Sequence, residues 1–134
     1  MQIAEVPLPI VWQMRKDVMY PHHTLEQVKL NNDETALHLG VWDKGICLSV
    51  ISLFVENNVL QFRKFATLTA YQNKGIGTQL LQHCFNWALS NRCTSIWCNA
   101  RLTASPFYSK FGMETVGETW FENGHTFVKM VKTI

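Results

Sequence analysis

Little in this sequence is extreme, and what it has little of excludes several classes of protein. Only 16% of its residues are charged, and twelve Lys and Arg against ten Asp and Glu leave a formal charge of +2. The basic residues are scattered rather than massed on one stretch, so no nucleic-acid partner is expected. Cys47, Cys84, Cys93 and Cys98 show no CxxC spacing, and no histidine cluster beside them completes a zinc pattern. Buried, reduced thiols and no metal are therefore expected. No apolar run approaches membrane-spanning length, and acidic and proline residues interrupt positions 1–9 where a signal peptide would need an apolar stretch. With the reduced thiols, this points to a cytoplasmic protein without a membrane partner. No internal repeat, linker or low-complexity stretch divides the chain.

What is present is an ordinary globular composition. An apolar fraction of 47% in 134 residues is enough for one sizeable core, while two independent cores would each be marginal. A single domain over 1–134 is expected.

Val11, Met14 and Val18 recur at helical spacing from Pro9 and stop where Tyr20-Pro21 disfavours further helix. Thr24 with Gln27 three residues on has the form of a capping box, which predicts a short helix over 25–30. Three β-rich runs follow, over 36–42, 46–55 and 59–68, punctuated by Asp43-Lys44-Gly45 and Glu56-Asn57-Asn58 as in an antiparallel meander. In the third run the apolar beat passes from Leu60 and Phe62 to Phe65, a slip that a β-bulge at Arg63 or Lys64 absorbs.

Ile76, Leu80, Leu81, Cys84, Phe85 and Ala88 then mark one face of a long helix ending near Ser90-Asn91. A short buried strand over 95–99 precedes a helix of about two turns, with Ser105 as N-cap, Pro106 at the first helical position and Gly112 past its end. The segments 113–121 and 126–132, joined at Glu122-Asn123-Gly124-His125, form a closing hairpin.

The turn over 72–78, Gln-Asn-Lys-Gly-Ile-Gly-Thr, lies between a strand and the start of the long helix. Unpaired N–H groups and the helix dipole favour an anion there, and a phosphate suits it. A Walker loop needs Lys-Ser/Thr after its last glycine, but Gly77 is followed by Thr78-Gln79. A Rossmann fingerprint would place its third glycine at Leu80 and lacks its acidic residue over 91–99. The plain alternative is that the glycines serve only a tight strand-to-helix turn.

At this point the chain resembles a known family. The stretch 64–77, KFATLTAYQNKGIG, resembles motif A of the GNAT acyltransferases, whose core is Gln/Arg-x-x-Gly-x-Gly/Ala after a β-strand. Asn99-Ala100, Ala104, Phe107-Tyr108 and Phe111-Gly112 resemble motif B, with Met113 in place of the usual phenylalanine. More loosely, 25–39 and 117–130 resemble the ElaA-like and YjcF-like small acetyltransferases.

The resemblance implies an α/β (α+β) fold: a mixed, mostly antiparallel central sheet flanked by helices, with two strands splayed to form a CoA cleft. It implies acetyl-CoA as cosubstrate, with Gln72, Asn73, Lys74, Gly75, Gly77 and Thr78 around the pyrophosphate, and Ala66, Thr67, Leu68 and Asn99 along the pantetheine arm. The implied reaction is acetyl transfer to a primary amine by direct attack through a tetrahedral intermediate. A backbone N–H at Ala66 or Thr67 would stabilise the oxyanion, and Tyr108 would protonate the departing sulfur. Glu118 and His125 in the final hairpin lead as the base, with His38 behind them, a water relay to one of these and attack by an already neutral amine also open.

Read singly, Tyr108 would cap the core, Asn99 would end a strand, His38 would be a satisfied sheet histidine, and His22 and His23 would be loop residues. Arg63 suits a surface ion pair and the acceptor pocket equally. The five tryptophans are too dispersed for base stacking and suit packing. The rival of another class is a non-catalytic CoA-binding regulatory or interaction module. Small polyamine, amino acid, aminoglycoside and protein terminus all stay open as acceptors, and exposed strands near the C-terminus could pair in a homodimer.

Overall fold

The computed structural model describes all of residues 1–134. Seven strands form one mixed sheet in the order β1-β2-β3-β4-β5-β7-β6, and the chain divides into two compact units, Met1–Phe54 with Arg63–Cys84 and Val55–Phe62 with Phe85–Ile134.

The first unit starts with a short strand that the sequence pattern does not announce, β1 (Gln2–Glu5), followed by helix α1 (Leu8–Met14). Strand β1 pairs antiparallel with β2 (Leu37–Asp43), from Gln2 opposite Trp42 to Glu5 opposite Leu39. Strand β2 in turn pairs antiparallel with β3 (Ile46–Glu56), across a turn in which Lys44 and Gly45 take φ of 50° and 81°. Two left-handed residues in succession match the twist of a hairpin, as the Asp-Lys-Gly punctuation predicts. Strand β4 (Val59–Thr67) follows another such turn, with φ of 53° and 63° at Asn57 and Asn58.

Helical spacing puts Val11 and Met14 of α1 into a buried cluster with Val6, Cys47, Val50 and Ala66. The helix continues as one π turn, Arg15–Met19, and ends at Tyr20 before Pro21. Arg15 is fully buried there. Its Nη1 and Nη2 donate to Asp33 Oδ2 and Oδ1 at 2.7 and 2.9 Å, to the Val28 carbonyl at 3.0 Å and to Ser52 Oγ at 2.9 Å. The capping box forms as read: Thr24 N–H donates to Gln27 Oε1 at 2.8 Å and Gln27 N–H to Thr24 Oγ1 at 3.2 Å. It opens only a 3₁₀ turn, Glu26–Val28, where a helix over 25–30 is expected. Asp33 draws the chain away from helix by accepting the Leu30 N–H at 2.8 Å.

Helix α2 (Ile76–Ser90) runs as its apolar periodicity predicts. In the second unit, β4 pairs parallel with β5 (Ser95–Arg101), from Val59 opposite Ser95 to Gln61 opposite Trp97. The closing hairpin is β6 (Glu114–Glu122) and β7 (His125–Thr133), with Asn123 and Gly124 left-handed at its tip and β7 antiparallel to β5 along Ser95–Arg101.

Between β5 and the hairpin lies α3 (Ser105–Ser109), shorter than the two turns expected. Ser105 is not its N-cap. A 3₁₀ turn, Leu102–Ala104, feeds directly into the helix, Ala104 takes the cap position, and the Ser105 hydroxyl donates back to the Leu102 carbonyl at 2.8 Å. Gly112 follows the helix at φ 86°, as a residue past a helix end should.

Candidate active site

In the first unit, the end of β4 and the start of α2 bring together nine of the residues singled out from the sequence. Within β4, Lys64 takes a left-handed φ of 56°, at the place where the slip in the apolar beat falls. Beyond it, Ala66 is buried, and its carbonyl accepts Ser49 Oγ at 3.1 Å. Ser49 Oγ also lies 2.8 Å from Thr67 Oγ1. The Leu68 N–H donates to the Leu48 carbonyl on β3 at 2.9 Å. Successive backbone groups in an extended strand face opposite edges, so the Thr67 N–H and carbonyl face away from β3. The Thr67 carbonyl accepts Gln72 Nε2 at 3.0 Å, which ties the glycine turn to the strand that precedes it.

Asn73 and Gly75 take φ of 60° and 80°, and Gln72 to Gly75 are exposed. The first hydrogen bond inside α2 runs from the Gln79 N–H to the Gly75 carbonyl at 3.1 Å. The N–H groups of Ile76, Gly77 and Thr78 therefore have no acceptor within the helix, and they converge with its positive dipole end. Alternate left-handed residues just before them are the geometry of an anion-binding nest.

The two glycines have different reasons to be there. Nothing lies within 4 Å of a Cβ built on Gly75, so its side would open onto free space where a ligand can approach. A Cβ on Gly77 would meet the Phe65 ring at 3.2 Å and Thr67 Oγ1 at 3.7 Å. Gly77 thus lets the first turn of α2 close down on β4, whereas Gly75 borders open space. Lys74 Nζ rests 5.9 Å from the centre of the Tyr71 ring.

The second unit holds Asn99, Tyr108, Glu118 and His125. Asn99 is exposed on β5 opposite Lys129. Tyr108 on α3 packs against Phe62 of β4 and Phe107, with ring centres 5.6 and 5.2 Å apart. Phe107 and Phe111 meet at 5.3 Å, the i,i+4 contact expected of them. Burial, and then the proximity of Cys98, push the Tyr108 phenol well above its ordinary pKa, so it stays protonated through the neutral range. Burial likewise raises the Cys98 and Cys84 thiols to about 12, which leaves them inert.

Glu118 is exposed on β6 within the irregularity between Val116 and Trp120, where Gly117 has φ of 78°. His125 is exposed at the start of β7 opposite Glu122, its ring edge-on to Phe127 at 6.4 Å. Phe127 pairs with Arg101 at the end of β5, so His125 lies two residues beyond that strand's last pair.

His38 has the structural role. It is buried, with Nε2 2.7 Å from the Asp33 carbonyl and Nδ1 2.7 Å from Ser52 Oγ. A carbonyl only accepts, so Nε2 carries the proton and Nδ1 accepts from the serine; neither nitrogen is left for an acceptor amine. Neither Ser49 beside Ala66 and Thr67 nor Phe62 beside Tyr108 was anticipated. The apolar run 46–55 holds two serines, Ser49 and Ser52, and nothing in it tells which of them meets β4.

A family model described as an acetyltransferase (GNAT) domain matches residues 12–134. The chain belongs to the GNAT acetyltransferase family, and it is an acetyl-CoA-dependent N-acetyltransferase. It is 28% identical to the uncharacterized N-acetyltransferase YitI of Bacillus subtilis (strain 168), over 88% of this chain and 85% of that protein. Among solved structures, a provisionally assigned N-acetyltransferase from Lactobacillus plantarum superposes with a TM-score of 0.87 at 21% identity, covering 98% of this chain and 95% of that one. ElaA from Escherichia coli gives 0.78 at 16% identity, over 98% and 97%. These two likenesses bear on the fold, and they match the expected α+β architecture with a mostly antiparallel sheet. No helix is long and apolar enough to cross a membrane.

Proposed function

We propose that residues 1–134 act as one domain that acetylates a primary amine by direct attack on acetyl-CoA, with the turn over 72–78 as the pyrophosphate cradle. Within the family, the ElaA-like and YjcF-like branch is the placement that 25–39 and 117–130 support. The observation that carries the mechanism is the open face of Gly75 beside the unpartnered N–H groups that begin α2. Acetyl-CoA supplies an activated acyl group on a thiolate leaving group.

The chain's own groups do the rest. Gln72, Asn73, Lys74, Gly75, Gly77 and Thr78 hold the pyrophosphate, while Ala66, Thr67, Leu68 and Asn99 flank the pantetheine arm. Leu68 has its N–H committed to Leu48. The Thr67 N–H, facing the opposite edge of β4, is therefore the backbone donor best suited to the developing oxyanion.

Glu118 or His125 takes a proton from the acceptor ammonium. The amine nitrogen bonds to the acyl carbon to give the tetrahedral oxyanion; as this collapses, the carbon–sulfur bond breaks with its electron pair on sulfur, Tyr108 gives that sulfur its proton, and the nitrogen gives up its second proton, which reprotonates Tyr108. The products are the N-acetylated amine and CoA, with one proton released to solvent once Tyr108 is reprotonated. Burial keeps the phenol protonated in the neutral range, so it has a proton to give, although the same shift makes it a weaker acid.

The test combines calorimetry with a thiol-release assay, corrected for hydrolysis, over a panel of amines. Wild type should bind acetyl-CoA and release CoA only when an amine is present. Tyr108→Phe should lower kcat by about 10²-fold, the usual scale for one proton-transfer group, with CoA affinity little changed. Gly75→Val should abolish CoA binding. Binding without release across the panel would instead support the non-catalytic module, and unchanged kinetics in Tyr108→Phe would remove that residue from the mechanism.

A further inference from the structure

At the left-handed residue of β4, the first unit carries a group that the mechanism does not use. Lys64 is half-buried, and its Nζ donates to Tyr20 Oη at 2.6 Å while lying 4.6 Å from the centre of the same ring. It has no carboxylate partner. The ion pairs of the molecule are those of the N-terminus with Asp43, Arg15 with Asp33 and Lys29 with Glu26. A part-buried ammonium with only a neutral partner is the kind of charge that an anion stabilises.

The donor geometry says more. Tyr20 Oη accepts from Lys64, so its own proton is free to donate elsewhere, and the ammonium keeps two further N–H groups. An O–H and an N⁺–H side by side are what the two oxygens of a carboxylate accept together. The arrangement is built before any ligand arrives: His23 stacks on Tyr20 at 4.8 Å with the ring planes 6° apart. The Tyr20 N–H also closes the π turn onto the Arg15 and Lys16 carbonyls at 3.0 and 3.2 Å. Two residues along the strand from Lys64, about 7 Å at most, lies Ala66, where the proposed mechanism runs the acyl-bearing arm.

We infer that Lys64 and Tyr20, steadied by His23, bind the carboxylate of the acceptor, which makes the acceptor a small amine that also carries a carboxylate rather than a polycation. This rests on the acetyl transfer proposed above and selects among the acceptors that the sequence leaves open. Polyamines and aminoglycosides would meet Lys64 as a like charge, which opposes their binding there.

The experiment compares amines matched except for the carboxylate, L-lysine and 1,5-diaminopentane, with acetyl-CoA saturating. Wild type should favour lysine in kcat/KM by roughly tenfold or more, the scale of a charge-assisted hydrogen bond. Lys64→Met should bring the ratio close to one, mainly through KM, and leave acetyl-CoA affinity unchanged. Tyr20→Phe keeps the ring, loses one donor and should fall between the two. A wild-type preference for the diamine, or a ratio that survives Lys64→Met, overturns the assignment. If neither amine is acetylated, the transfer reaction itself is in question, and the subsite is read separately. The ¹³Cε resonance of Lys64 should shift on titration with lysine and not with the diamine, and no shift overturns the inference independently of turnover.

Discussion

At Asp33, burial and hydrogen bonding pull in opposite directions. Burial raises the carboxyl pKa, but the Arg15 guanidinium, the Leu30 N–H and Trp12 Nε1 lower it further, and the balance falls at about 2 against an ordinary 3.8. A folded pKa below the unfolded one stabilises the fold above the unfolded value, and that contribution is lost as pH falls from about 4 towards 2. Urea unfolding followed across this range should show a loss of stability that Asp33→Asn flattens. At neutral pH the same variant should cost about 3–5 kcal/mol, because it leaves Arg15 as an uncompensated buried charge. Equal pH profiles for the two proteins would show that Asp33 is not the group that titrates. Arg15 was not read from the sequence, although it lies four residues after Val11, in line with the apolar stripe that α1 continues into the π turn, where a cation needs a buried partner. Which partner it takes, eighteen residues on, no local pattern states.

At the scale of elements, glycine packing and helix ends make the sharper predictions. A Cβ at Gly40 on β2 would come within 2.6 Å of both the Ser49 carbonyl oxygen on β3 and Val6 Cγ2, so neither backbone nor core can easily give way. Gly40→Ala should destabilise the protein by about 1–3 kcal/mol in chemical denaturation, against a near-neutral Gly45→Asn at an exposed turn that tolerates left-handed asparagine. Helix α3 is too short to hold itself. Lys132 Nζ donates to the Phe111 carbonyl at 2.7 Å and lies 5.3 Å from the centre of the Phe85 ring, fastening the end of that helix to β7. Lys132→Met should speed amide exchange at residues 111–113, at a cost of about 1 kcal/mol. Most elements were legible because their signals are local: the Lys-Gly and Asn-Gly turns, the periodicity of α2, and the slip that puts Lys64 at φ 56°. Strand β1 was not, because four residues with no strong alternation become a strand only when the edge of β2 is there to pair with.

For the molecule as a whole, the family match spans parts of both compact units, and ligand binding should couple to global stability. Acetyl-CoA at a hundred times its Kd should raise the free energy of unfolding by about 2.7 kcal/mol, seen as a higher Tm. Gly75→Val should remove that gain while costing little stability of its own beyond the strain of a left-handed β-branched residue. An equal rise in both proteins would place the cofactor elsewhere. The sequence by itself determined the fold class, the order of nearly all elements and the glycine-bearing turn at 72–78, because turn chemistry, helical period and a gapless motif act over a few neighbouring residues. Only the tertiary structure decided that His38 belongs to the Arg15–Asp33 network, that Gly77 serves Phe65, and that Lys64 meets Tyr20 across forty-four positions of chain. Such partnerships depend on which side chains the folded backbone brings within hydrogen-bond reach, and no spacing along the chain encodes that.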